Sequence, residues 1–122
     1  MVCDDSLLIR KKLTGLLNSI GAESVIEAEN GLEAVQKAQN SEIDLIFMDI
    51  VMPEMDGVEA VRHIKAGLPD AYIVMVSSVG TQKNLMKALK AGASDFIQKP
   101  FQEDSIRQII AHFQKERGVH NV

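Results

Sequence analysis

The chain has 122 residues, 46% of them hydrophobic and 25% charged, with a formal net charge of −4 and a single cysteine. That is an ordinary globular composition, long enough for one core and too short for two, so 1–122 reads as one domain. The acidic balance gives no footprint for direct nucleic-acid binding, a lone cysteine makes no intrachain disulfide, and no apolar run approaches the roughly 20 residues of a membrane span.

Met1-Val2-Cys3 reads as a strand fragment, short for a buried central strand, which leaves room for a natural start ahead of Met1. Without a recognisable secretory signal, the default compartment is the cytoplasm. Ser6 offers an N-cap, with Asp4 and Asp5 where negative charge suits a helix start. Ile9, Leu13, Leu16, Leu17 and Ile20 follow at helical spacing, and Gly21 closes the helix. Residues 23–29 read as a second strand, with Asn30-Gly31 as the turn out of it. Leu32, Val35 and Ala38 mark the second helix, and Glu33 precedes Lys37 by four residues on its exposed side.

The third strand grows from Ile43 as an apolar run that ends in Asp49, the pattern of a strand buried on both faces. Pro53 and Asp56-Gly57 mark a loop before a third helix with Val58, Val61 and Ile64 on its buried side, broken by Gly67 and Pro69. Ala71 to Val76 is a fourth strand, ending in Ser77-Ser78. Leu85, Met86, Ala88 and Leu89 form a fourth helix, stopped by Gly92. Phe96-Ile97-Gln98 is a fifth strand, ending at Lys99-Pro100. Ile106, Ile109, Ile110 and Phe113 give the last helix, and a polar tail from Lys115 is expected to fray.

Alternating strands and helices with short connections imply an α/β fold: a doubly wound, flavodoxin-like (βα)5 parallel sheet with helices on both faces. Ligands bind such sheets at the carboxyl ends of the strands. There the chain places Asp4, Asp5, Asp49, Ser77 and Lys99. Crowded carboxylates repel unless a cation neutralises them, and an all-oxygen set without thiolate suits Mg²⁺. Lysine beside such a cation makes a pocket for a phosphoryl group, Ser77 can hydrogen-bond its oxygens, and Asp49, central in the cluster, is the candidate nucleophile.

The stretches Cys3-Asp4-Asp5-Ser6, Met48-Asp49-Ile50-Val51-Met52-Pro53-Glu54-Met55-Asp56-Gly57, Ala91-Gly92-Ala93 and Lys99-Pro100-Phe101 resemble the response-regulator receiver domains (CheY-like) of two-component signal transduction. The resemblance covers nearly the whole chain and implies strand order 2-1-3-4-5. It implies that Asp49 takes a phosphoryl group from a sensor histidine kinase. Mg²⁺ would be bound by Asp5, Asp49 and the Val51 backbone carbonyl, with Asp4 acting largely through water. Lys99 would pair with Asp49 and then with the phosphoryl oxygens, and the Lys99-Pro100 bond would be cis. Ser77 would be the switch hydroxyl and Phe96 the switch aromatic, with readout on the fourth helix, fifth strand and fifth helix. Such a protein is no enzyme beyond self-catalysed phosphoryl transfer and dephosphorylation.

The resemblance is greatest to stand-alone chemotaxis receivers, whose partners include a flagellar motor switch protein or a phosphatase. A phosphorelay intermediate, or a receiver cut from a larger transcriptional regulator, is the alternative. Val51 and Val79 lie two residues past Asp49 and Ser77, where the family flanks its hydrolytic water; apolar side chains there imply slow self-dephosphorylation.

Competing readings are simpler. Phe96 is a candidate core aromatic, and Cys3 a small buried hydrophobe. His63, His112 and His120 are too scattered for a ligand set. Met48, Met75 and Met86 read as core, whereas Met52 and Met55 fall in a loop where exposure is common. Lys83, Lys87 and Lys90 read as a solvated helix face that can also meet an acidic partner. A haloacid-dehalogenase-like phosphatase would want Asp where Val51 stands, and a flavodoxin-type FMN binder a Ser/Thr/Gly-rich loop where Asp4-Asp5 stand.

Overall fold

The structure is a computed structural model that describes residues 1–22 and 24–117, without the side chain of Arg117. Five parallel strands and five helices alternate: β1 (Val2–Cys3), α1 (Leu7–Ser19), β2 (Glu27–Ala28), α2 (Gly31–Gln39), β3 (Leu45–Asp49), α3 (Gly57–Gly67), β4 (Tyr72–Ser77), α4 (Gln82–Ala91), β5 (Asp95–Gln98) and α5 (Glu103–Arg117). The sheet order is β2-β1-β3-β4-β5, as expected. No helix among the described residues is long and apolar enough to cross a membrane.

Strand alternation splits the core in two. Cys3, Ile46, Met48, Ile73 and Met75 face α2, α3 and α4, where Val35, Val61, Ile64 and Ala88 complete one cluster. Val2, Phe47, Val74, Val76 and Ile97 face the other way, onto Leu13 and Leu17 of α1 and Ile106 and Ile109 of α5. Successive residues of β3 and β4 therefore serve opposite layers, which is why both strands are apolar throughout.

Local signals set the helix ends. Ser6 caps α1 by accepting from Ile9 N–H, and Asp56 caps α3 by accepting from Glu59 N–H. Gly92, at φ +121, ends α4. Glu33 and Lys37 form the expected pair at 2.9 Å.

Several expectations fail for identifiable reasons. β2 is confined to Glu27–Ala28, because it pairs only with a two-residue β1; Glu23 lies outside the described residues. Asn30-Gly31 begins α2 rather than merely turning into it: Asn30 is the N-cap and accepts from Glu33 N–H at 2.8 Å. Leu32 is exposed, since Gly31, Ala34, Val35 and Ala38 form the buried stripe. Met86 is also exposed; α4 is peripheral and buries only Ala88 fully. Met52, by contrast, is buried against the Cys3 thiol, its Sδ 3.4 Å from Sγ. Lys115 continues α5 rather than starting a frayed tail; residues 118–122, including His120, lie outside the described residues.

Candidate functional site

The parallel sheet brings β1, β3, β4 and β5 to one edge, and the polar residues at their ends meet there. Asp4, Asp5 and Asp49 each place a carboxylate oxygen within 4.8 Å of the others. Asp4 and Asp49 are buried and Asp5 is exposed, so the cluster opens to solvent through Asp5. Asp4 Oδ1 accepts from Ser6 N–H at 2.8 Å, and Asp49 Oδ1 from Ile50 N–H at 2.9 Å. The remaining oxygens face Lys99.

Lys99 Nζ stands 3.0 Å from Asp4 Oδ2 and 3.5 Å from Asp49 Oδ2. Lys99 thus pairs with the Asp49 that the family resemblance implied, and also, more closely, with Asp4. It is the cation against Asp4 Oδ2, the oxygen that Ser6 N–H does not reach. The Lys99-Pro100 peptide bond is cis.

These surroundings oppose charge on Asp49. Burial, and then the neighbouring Asp4 carboxylate, push its pKa up to about 6, while Lys99 and the Ile50 N–H pull the other way. Burial would lower Lys99, but the Asp4 and Asp49 carboxylates outweigh it and its pKa is raised. Beneath the cluster, burial and the carboxylates of Asp4, Asp49 and Glu33 push the Cys3 thiol up to about 12, as suits the inert buried hydrophobe expected there.

Ser77 is buried at the end of β4, where its Oγ donates to the Ile97 carbonyl at 3.2 Å. Phe96, on the next strand, is 48% exposed, so it is not a core aromatic. Val51 and Val79 are exposed beside the site, at 59% and 86%. His63 and His112 are far from forming a ligand set; His112 instead stands 3.2 Å from Asp95.

Three converging carboxylates facing a single ammonium fit a hard divalent cation better than they fit one another. An ammonium beside them fits an oxyanion.

The sequence profile of the response regulator receiver domain matches residues 1–111. The chain belongs to this family. The chemotaxis protein CheY of Bacillus subtilis is 44% identical over 110 residues, covering 90% of this chain and 92% of that protein. A CheY-like response regulator receiver domain protein from Methanospirillum hungatei shares the fold with a TM-score of 0.88 at 26% identity, over 96% of this chain and 94% of that one. The receiver domain of a sensor histidine kinase from Pseudomonas aeruginosa, with a magnesium ion coordinated in its active site cleft, gives 0.82 at 27% identity, over 93% and 92%.

One contributor to this receiver site escaped the sequence reading. Arg10 of α1 is buried, and its guanidinium donates to the Asp4 carbonyl at 2.8 Å and to Glu27 Oε1 at 3.1 Å, with Glu29 at 3.7 Å. It ties β2 to the residue on which the acidic cluster begins. Its signal was its place in the stripe Arg10, Leu13, Leu17: a charge on the buried side of a helix needs a buried partner.

Proposed function

We propose that this receiver accepts a phosphoryl group on Asp49 from the phosphohistidine of a sensor histidine kinase, with Mg²⁺, and relays the change through the α4-β5-α5 face. The observation that carries the reading is the setting of Asp49: a buried carboxylate with an ammonium at 3.5 Å and two further carboxylates close by. Asp5, Asp49 and the Val51 carbonyl would hold the ion directly, and Asp4 through water. When bound, the ion supplies positive charge that offsets the crowded carboxylates and the incoming phosphoryl oxygens.

The chain's own groups do the rest. An ionised Asp49 oxygen attacks phosphorus; the new O–P bond forms as the donor's N–P bond breaks, and the imidazole nitrogen keeps that electron pair. Lys99, already between Asp4 and Asp49, is placed to pair with a phosphoryl oxygen. Ser77 exchanges its bond to the Ile97 carbonyl for one to that group, and Phe96 turns inward into the space released. Phosphorylation thus favours one of two arrangements of the same face. On this reading, Ser77 bonded at β5 and Phe96 exposed belong to the unphosphorylated arrangement.

The 44% identity to a chemotaxis protein along most of both chains favours a chemotaxis-type response regulator acting in the cytoplasm. A flagellar motor switch protein is then the output partner. The likeness to a receiver from a sensor histidine kinase supports a phosphorelay role as the second reading.

The deciding experiment is incubation with acetyl phosphate, with and without Mg²⁺, read by intact mass on wild type and Asp49→Ala. A single Mg²⁺-dependent phosphoryl addition, absent from the variant, is expected. No addition to folded, Mg²⁺-binding wild type would instead favour an interaction module without phosphoryl chemistry.

A further inference from the structure

The loop from β3 to α3 holds a shape that its own sequence disfavours. Glu54 has φ +67, and Met55 N–H donates back to the Pro53 carbonyl at 2.7 Å, closing a three-residue γ-turn. A non-glycine residue in that conformation persists only where its surroundings over-determine it. At the far end of the loop, Gly57 N–H donates to the Ile50 carbonyl at 2.7 Å, and a Cβ on Gly57 would lie 2.3 Å from the Asp49 carbonyl oxygen. That end is closed by the start of α3 itself.

The other restraint comes from a different element. Gly31, the first residue of α2, donates its N–H to the Met55 carbonyl at 3.0 Å. A Cβ on Gly31 would stand 2.1 Å from that oxygen and 2.8 Å from its carbon. Both obstacles are backbone, so neither can swing aside. Gly31 is not among the positive-φ glycines, so closeness rather than backbone conformation requires it. The same turn of α2 also touches β1: the Cys3 thiol donates to the Asn30 carbonyl at 3.3 Å, one residue before Asp4, and its sulfur contacts Met52. The start of α2 therefore bears on both ligand-carrying segments.

We propose that Gly31 is a positioning residue: by letting the Met55 carbonyl seat on the first turn of α2, it sets the course of the loop that carries Val51 and thereby the affinity of the acidic cluster for a divalent cation. This rests on the Mg²⁺ and phosphoryl reading of the site. An added methyl pushes the loop off α2 and moves the Val51 carbonyl relative to Asp49, with every carboxylate still present.

The test compares wild type, Gly31→Ala and Gly15→Ala, the last at a helical glycine with nothing within 4 Å of an added Cβ. Mg²⁺ is titrated by NMR, and the rate of phosphorylation by acetyl phosphate is measured against Mg²⁺ at equal folded fraction. Gly31→Ala is expected to need about tenfold more Mg²⁺ for half-saturation, the usual scale for a residue supporting metal ligands, while its rate at saturating Mg²⁺ approaches wild type. Gly15→Ala is expected to match wild type in both. Wild-type Mg²⁺ affinity in folded Gly31→Ala overturns the proposal. Should Gly31→Ala fail to fold, Asn30→Ala decides: it loosens the same turn without a clash, so weakened Mg²⁺ binding supports the proposal and unchanged binding overturns it. Wild type that binds Mg²⁺ but takes up no phosphoryl group would end the phosphoryl reading and leave the Mg²⁺ comparison to judge Gly31.

Discussion

Asp49 is a carboxylate whose surroundings resist its charge, and that has a definite sign. With its pKa raised from 3.8 to about 6 in the fold, the folded state holds a proton that the unfolded state has lost. Metal-free protein should therefore lose stability as pH rises through that window, by at most about 3 kcal/mol from this group, and stay lower above it. Asp49→Asn removes the term, so urea denaturation at pH 7 in EDTA should show the variant more stable, and the difference should vanish near pH 3. On the proposed reading, exposed Val51 and Val79 offer no polar group to orient a hydrolytic water. Val79→Glu is expected to shorten the lifetime of the phosphoryl group severalfold, measured as its loss after the donor is removed. A wild-type lifetime of only seconds at neutral pH would refute that account.

At the level of elements, Arg10 makes α1 more than a cover for the sheet. Arg10→Gln removes the side-chain donor to the Asp4 carbonyl and one of the two cations on Glu27, Lys11 remaining at 2.8 Å, and should cost about 1–3 kcal/mol in denaturant unfolding. Arg10 also shows what the sequence reveals and what it hides. The apolar runs of β3 and β4, the Ser6 cap and the Gly92 stop were legible because each depends on neighbours in the chain. Arg10, the burial of Met52 and the exposure of Leu32 depend on what packs opposite, which periodicity does not carry. β2 was overextended for the same reason: its length is set by β1, not by its own β propensity. At the site, strand ends alone pointed to Asp4, Asp5, Asp49 and Lys99, which the structure brings together. The preference of Lys99 for Asp4 was not readable, because it turns on distances of 3.0 and 3.5 Å between three strands.

The molecule as a whole behaves as one sheet with two independent sides, and the proposed signal must cross from the acidic edge to the face that holds Phe96. In the proposed mechanism the crossing point is the hydrogen bond from Ser77 to the Ile97 carbonyl. Ser77→Ala should still accept a phosphoryl group on Asp49, yet the Phe96 and α4-β5-α5 resonances should stay near their unphosphorylated positions. A full shift in the variant would mean that the face is reached by another route. Cys3 lies where α2, the loop and β1 meet, and it is the only cysteine in the chain. Its burial and high pKa leave almost no thiolate for a reagent to find while the strand is in place. Disulfide-exchange labelling of the native protein would therefore run no faster than β1 opens. The chain carries its own clock for the departure of the strand beneath its acidic cluster, and cation binding should slow it.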